Sequence, residues 1–149
     1  MKKISFVCTG NTCRSAMAEC IFKHLCKQND NKNFTISSYG ISAKNGEEIN
    51  PLAKQVLSDY KIRYKSHKAK KLTDKIIKKQ DIIFVMTNEQ KNILKRYENV
   101  LTIAEFVDGI DIPDPYGLGY KEYEAIFKLL YASLKKIYSK LNALEELWK

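Results

Sequence analysis

The segment Cys8-Thr9-Gly10-Asn11-Thr12-Cys13-Arg14-Ser15 holds the residues best suited to chemistry. A thiolate is a strong nucleophile, and Cys8 supplies one. After five intervening residues, Arg14 offers a planar two-pronged donor that suits a phosphoryl group. It is one of three arginines among 26 basic residues, so lysine would be the default occupant there. Gly10 permits unusual backbone angles, and Asn11 tolerates the left-handed conformation. The loop is therefore expected to turn successive N–H groups inward as an anion nest at a helix N-terminus. Ser15 brings a hydroxyl within reach of the same sulfur. A phosphate held in this nest lies in line with Cys8, and the donors that bind it also stabilise its equatorial oxygens in transfer. No metal or cofactor is called for.

Competing readings of these residues are weaker than the combination of strand, Cys-x5-Arg-Ser and helix. An inert core cysteine at a strand end is the ordinary case, but it does not account for Arg14 and Ser15. A nucleotide-binding loop of the Gly-x4-Gly-Lys-Ser/Thr type is absent. Cys8, Cys13, Cys20 and Cys26 contain no Cys-x2-Cys pair, which argues against zinc.

The elements that must position the loop follow from periodicity. Ile4–Cys8 reads as a buried strand, and Met17, Ile21 and Leu25 mark a helix from Ala16 to Gln28. Phe34–Tyr39 alternates as a strand ending at Gly40. Asn50-Pro51 opens a helix through about Asp59, and Thr73 caps a short one to Lys79. Asp81–Met86 is expected to be a strand, Asn88–Tyr97 a helix and Val100–Ile103 a fourth strand, followed by a loop rich in Asp, Gly and Pro. A terminal helix places Phe127, Leu130, Leu134, Ile137, Leu141, Leu144 and Trp148 on one face. That face is formally a coiled-coil seam, but a helix lying across the sheet is the preferred reading. Alternating strands and helices imply an α/β fold with a parallel sheet covered on both faces. Ligands bind at the carboxyl ends of such strands, where Cys8 lies.

Composition bounds the rest. The chain has 149 residues, 26 Lys and Arg against 17 Asp and Glu, and a net charge of +9. Its 44% hydrophobic content excludes disorder. No apolar run approaches the ~20 residues that span a bilayer, and the first apolar stretch falls short of a signal peptide's ~7–15. A soluble, cytoplasmic single domain over residues 1–149 is expected. Nine bases and one acid crowd Lys61–Lys79, whereas Asn99–Tyr120 holds Glu105, Asp108, Asp111 and Asp114 with no base.

Cys8-Thr-Gly-Asn-Thr-Cys-Arg-Ser15 with Met17-Ala18-Glu19 resembles the signature of the low-molecular-weight protein tyrosine phosphatases. Ser66-His67-Lys68-Ala69, the Asp81–Thr87 strand and Asp114-Pro115-Tyr116-Gly117 extend the likeness over nearly the whole chain. Ala16 departs from it, since many members carry proline there. The resemblance implies a three-layer fold with a four-stranded parallel sheet in the order 2-1-3-4. It implies a phosphocysteine intermediate, with Cys8 as nucleophile and Arg14 clamping phosphate. It selects Asp114 as general acid and base over Asp108 and Asp111. Tyr116 would line the entrance, and Asn11, Ser15, Ser42 and His67 would form a supporting network. Cys13 would pair reversibly with Cys8 on oxidation.

Thr12 resembles a bacterial subset that acts on phosphoarginine; tyrosine-directed members commonly have Ile there. The expected partners are phosphorylated proteins, with inorganic phosphate as product, no nucleic acid, no membrane, and a monomer or weak dimer. An arsenate reductase of the same fold needs a further cysteine pair, and none occurs in 81–149. A basic binding module is the non-enzymatic alternative, but no nucleic-acid motif accompanies the lysines. Around His67 those lysines are expected to border the site and steer anionic substrates.

Overall fold

A computed structural model describes residues 2–147. Four strands, β1 (Lys2–Cys8), β2 (Phe34–Gly40), β3 (Ile82–Val85) and β4 (Val100–Thr102), form one parallel sheet in the order β2-β1-β3-β4. Alternation along the strands sorts the two faces. Ile4, Phe6 and Cys8 of β1, with Phe34 and Ile36 of β2 and Phe84 of β3, face the helices α1 (Arg14–Gln28), α2 (Pro51–Asp59), α5 (Ile103–Val107) and α6 (Tyr120–Leu147). Val7, Ile83, Val85 and Val100 face α3 (Asp74–Lys79) and α4 (Asn88–Ile93) with Ile77 and Leu94. Both faces are thus covered, as a parallel sheet requires. Phe6 ties the larger core together, with its ring 5.6 Å from Phe22 and 5.8 Å from Phe84.

Caps explain the helix starts. Asn50 accepts from Leu52 N with Pro51 at the first helical position, and Thr73 accepts from Ile76 N. The expected α4 ends early, at Ile93, because Leu94, Lys95 and Tyr97 close the tighter bonds to Lys91, Asn92 and Leu94. The fourth strand stops at Thr102, and the segment read as loop begins with a helix. Thr102 and Glu105 form a reciprocal capping box that starts α5. In α6 the residues Phe127, Leu130, Leu134, Ile137 and Leu141 are buried, joined by Tyr123 and Ile126. They pack against α1, α2 and α5, so the seam serves the chain's own core and α6 lies along helices more than across the sheet. Leu144 is exposed, and Trp148 lies outside the described residues.

Candidate active site

β1 is flanked by β2 and β3, so its carboxyl end brings Cys8 to the centre of the sheet edge. Residues 9–13 bridge the turn into α1, which begins at Arg14, two residues before the expected start. Asn11 carries the left-handed conformation of this loop, with φ 58°. Gly10 does not, so the expected need for glycine there is corrected: an added Cβ would meet only Thr12 Oγ1 at 3.7 Å. The glycine that the loop does require is Gly40, at the end of β2. A Cβ there would stand 2.7 Å from Thr9 O and 2.9 Å from Asn11 N. The segment after β2 braces the loop from outside, as Ile41 N, Ser42 N and Asn50 N donate to Cys8 O, Thr9 O and Thr12 O, each at 2.9 Å.

The shell around the sulfur is organised by Asn11, which is fully buried. Its Oδ1 accepts from Lys70 N at 3.0 Å, so Nδ2 must face inward. Nδ2 then donates to Ser15 Oγ at 2.8 Å and to Ser38 Oγ at 3.0 Å. Ser38 in turn donates its hydroxyl hydrogen bond to Glu19 Oε1 at 2.5 Å. Ser15 Oγ stands 2.9 Å from Cys8 Sγ, and toward a thiolate, which only accepts, its hydroxyl is the donor. Asn11 N adds a second donor to that sulfur at 3.3 Å. His67 Nε2 lies 2.6 Å from Asn11 O, and because a carbonyl only accepts, the imidazole carries its proton on Nε2. The sulfur thus has Ser15 Oγ and Asn11 N as hydrogen-bond partners and stands at the N-terminus of α1.

Arg14 is buried and donates through Nη1 to Ile112 O at 2.9 Å, and its Nη2 stands 3.7 Å from Asp114 Oδ2. The same loop is anchored by Ile112 N to Met86 O at 2.9 Å and by Asn88 N to Asp111 Oδ2 at 3.0 Å. These contacts separate the three aspartates: Asp108 is the left-handed cap of α5, Asp111 is an anchor, and Asp114 is the half-exposed carboxylate beside Arg14. Tyr116 N donates to Asp114 Oδ1 at 3.1 Å, and the Tyr116 ring is open to solvent.

Cys13 is buried as the N-cap of α1, 3.3 Å from Tyr123 Oη. Burial pushes the Cys13 thiol up and, with the Cys13 contact, raises the Tyr123 hydroxyl too. Thr12 is partly exposed on the loop, its hydroxyl 3.8 Å from Cys13 Sγ. Ser42 is exposed and enters the network through its backbone only; Ser38 is the hydroxyl that meets Asn11. Sequence reasoning also passes over Gln90, which donates to Thr9 Oγ1 at 3.2 Å while accepting from Met86 N and Thr87 N. Among the described residues no three His, Cys, Asp or Glu side chains are grouped to hold a metal, and no helix is long and apolar enough to cross a membrane.

Over residues 3–146 the chain matches the family model described as low molecular weight phosphotyrosine protein phosphatase. It is 35% identical over 147 residues to the protein-arginine-phosphatase of Bacillus subtilis, covering 89% of this chain and 97% of that protein. It is 34% identical over 140 residues to the low molecular weight protein-tyrosine-phosphatase PtpB of Staphylococcus epidermidis, covering 91% and 96%. Among solved structures it superposes with a TM-score of 0.89 and 31% identity on a cysteine-to-serine mutant of the YwlE arginine phosphatase with a phosphorylated active site serine, covering 94% and 95%.

Proposed function

The chain belongs to the low-molecular-weight phosphotyrosine protein phosphatase family, and on that footing we propose that it hydrolyses phosphorylated protein side chains through a phosphocysteine intermediate. One observation carries the assignment of roles: Cys8 Sγ receives Ser15 Oγ at 2.9 Å and Asn11 N at 3.3 Å at the foot of a helix, with buried Arg14 and half-exposed Asp114 beside it. As thiolate, Cys8 attacks phosphorus; the S–P bond forms as the bond to the leaving oxygen or nitrogen breaks. The loop amides and the Arg14 guanidinium hold the three equatorial oxygens. Protonated Asp114 gives its proton to the leaving group. The resulting carboxylate then takes a proton from water, whose oxygen attacks the phosphocysteine and releases inorganic phosphate and the Cys8 thiolate. Asn11, Ser38 and His67 keep the cradle rigid, so the donors need no reorganisation during transfer. Tyr116 packs on the arriving side chain.

Thr12 and the 35% identity to a protein-arginine-phosphatase favour phosphoarginine as the side chain. A hydroxyl at this position orients a polar guanidinium or the attacking water, whereas Ile offers only apolar contact. The test is turnover of matched phosphoarginine and phosphotyrosine peptides by wild type and Thr12→Ile. Preference for phosphoarginine that reverses in the variant is expected; no arginine activity in wild type would overturn the substrate reading. Asp114→Asn is expected to lower kcat about 10²–10⁴-fold.

A further inference from the structure

Large apolar side chains are exposed at seven places among the described residues, and three of these fall within the nine residues 110–118. Ile110 is 66% exposed, Tyr116 73% and Leu118 54%. Isolated exposed apolar residues are ordinary. Three of them bracketing Asp114 on one loop are not scattered. The loop is held in place, because Ile112 is fully buried and bonded to Met86, Asp111 is bonded to Asn88, and Leu118 N closes a turn on Pro115 O at 3.0 Å. The apolar groups are therefore presented outward on an anchored rim. The charge on this rim is also opposite to that of the molecule. Asp108, Asp111 and Asp114 lie between 108 and 119 with no Lys or Arg, in a chain of net charge +9.

We propose that Ile110 and Leu118 form a docking rim for the substrate polypeptide, gripping apolar residues that flank the phosphorylated side chain, and that Asp108 and Asp111 favour basic flanks and disfavour acidic ones. The inference rests on the phosphatase reading and extends it from the phosphoryl group to the chain that carries it. Continuity with the cradle supports this occupant: Asp114 sits between Ile110 and Leu118 in the chain and touches Arg14. Charge complementarity supports the polarity.

The experiment compares wild type with Ile110→Ser/Leu118→Ser on phosphopeptides whose flanks are Leu and Lys, Gly and Ser, or Glu, with a small aryl phosphate as control. Wild type should prefer the flanks in that order. In the variant, kcat/KM for the Leu/Lys peptide should fall about tenfold, as expected for losing two partly buried apolar contacts. Its kcat and its turnover of the aryl phosphate should hold. Equal peptide kcat/KM in both proteins would overturn the proposal. So would a wild-type dimer that the variant converts to monomer with peptide kinetics unchanged, because the rim would then serve a second copy. If wild type turns over neither phosphoarginine peptides, nor phosphotyrosine peptides, nor the aryl phosphate, the phosphatase reading itself is what falls.

Discussion

Two neighbours on β2 show how closely the phosphate loop depends on residues outside it. Gly40 lets the strand end pass within a methyl's width of Thr9 O and Asn11 N, both of them backbone atoms that cannot turn aside. Gly40→Ala is expected to lower kcat/KM by more than about tenfold and to destabilise the fold by about 1–3 kcal/mol, read from urea unfolding. Ser38 accepts from Asn11 and donates to Glu19, so Ser38→Ala leaves a fully buried amide one partner short. That change should cost about 1–3 kcal/mol. It should also slow turnover while the fold persists, measured by pairing steady-state kinetics with denaturation. The family resemblance assigns this task to Ser42, whereas the hydroxyl that meets Asn11 is that of Ser38. Period-two alternation holds the better answer: Phe34, Ile36 and Ser38 share the face toward α1. Cys8, Arg14 and Asn11, by contrast, were legible because one short segment carries the nucleophile, the clamp and the left-handed residue together.

At the scale of elements, strands and long helices follow their periodicity, and the errors fall at short helices. α5 has five residues, too few for a 3.6-residue pattern to show, and the only signal for it is the Thr102–Glu105 box. α6 matters most for stability, because Leu134 is fully buried among α1 and the sheet core. Leu134→Ala should cost about 2–5 kcal/mol in urea unfolding. α1 adds a pH dependence. Burial pushes the Cys20 thiol up to about 12 and that of Cys26 up to about 11, from an ordinary value of 9. Above pH 9 the unfolded chain releases these protons first and so binds fewer than the folded one, which makes stability fall as pH rises. The melting temperature should therefore drop between pH 9 and 11, and less steeply in Cys20→Ala/Cys26→Ala. Equal slopes in the two proteins would count against this origin.

For the whole molecule, the basic run Lys61–Lys79 is not one patch. Lys61 lines a cleft against α6, and Arg63 and Lys65 line another against α1. Lys70 joins the cradle through its backbone, with Lys68 paired to Glu48 nearby. Lys75, Lys78 and Lys79 belong to α3, under the other face of the sheet. Steering of an anionic phosphoprotein is thus expected from the part nearest the loop. Lys68→Gln/Lys70→Gln should lower kcat/KM at low salt several-fold and leave kcat alone, whereas Lys75→Gln/Lys78→Gln/Lys79→Gln should change neither. In the proposed mechanism the phosphoryl group passes through one sulfur. The most direct test is rapid acid quench of wild type and Cys8→Ala during turnover of a phosphopeptide, followed by mass analysis of the peptide holding residue 8. One phosphoryl group on Cys8 in wild type, formed as fast as the leaving group appears, with no label and no turnover in Cys8→Ala, is expected. Turnover in Cys8→Ala at the wild-type rate, or a phosphoryl group trapped on another residue, would contradict it.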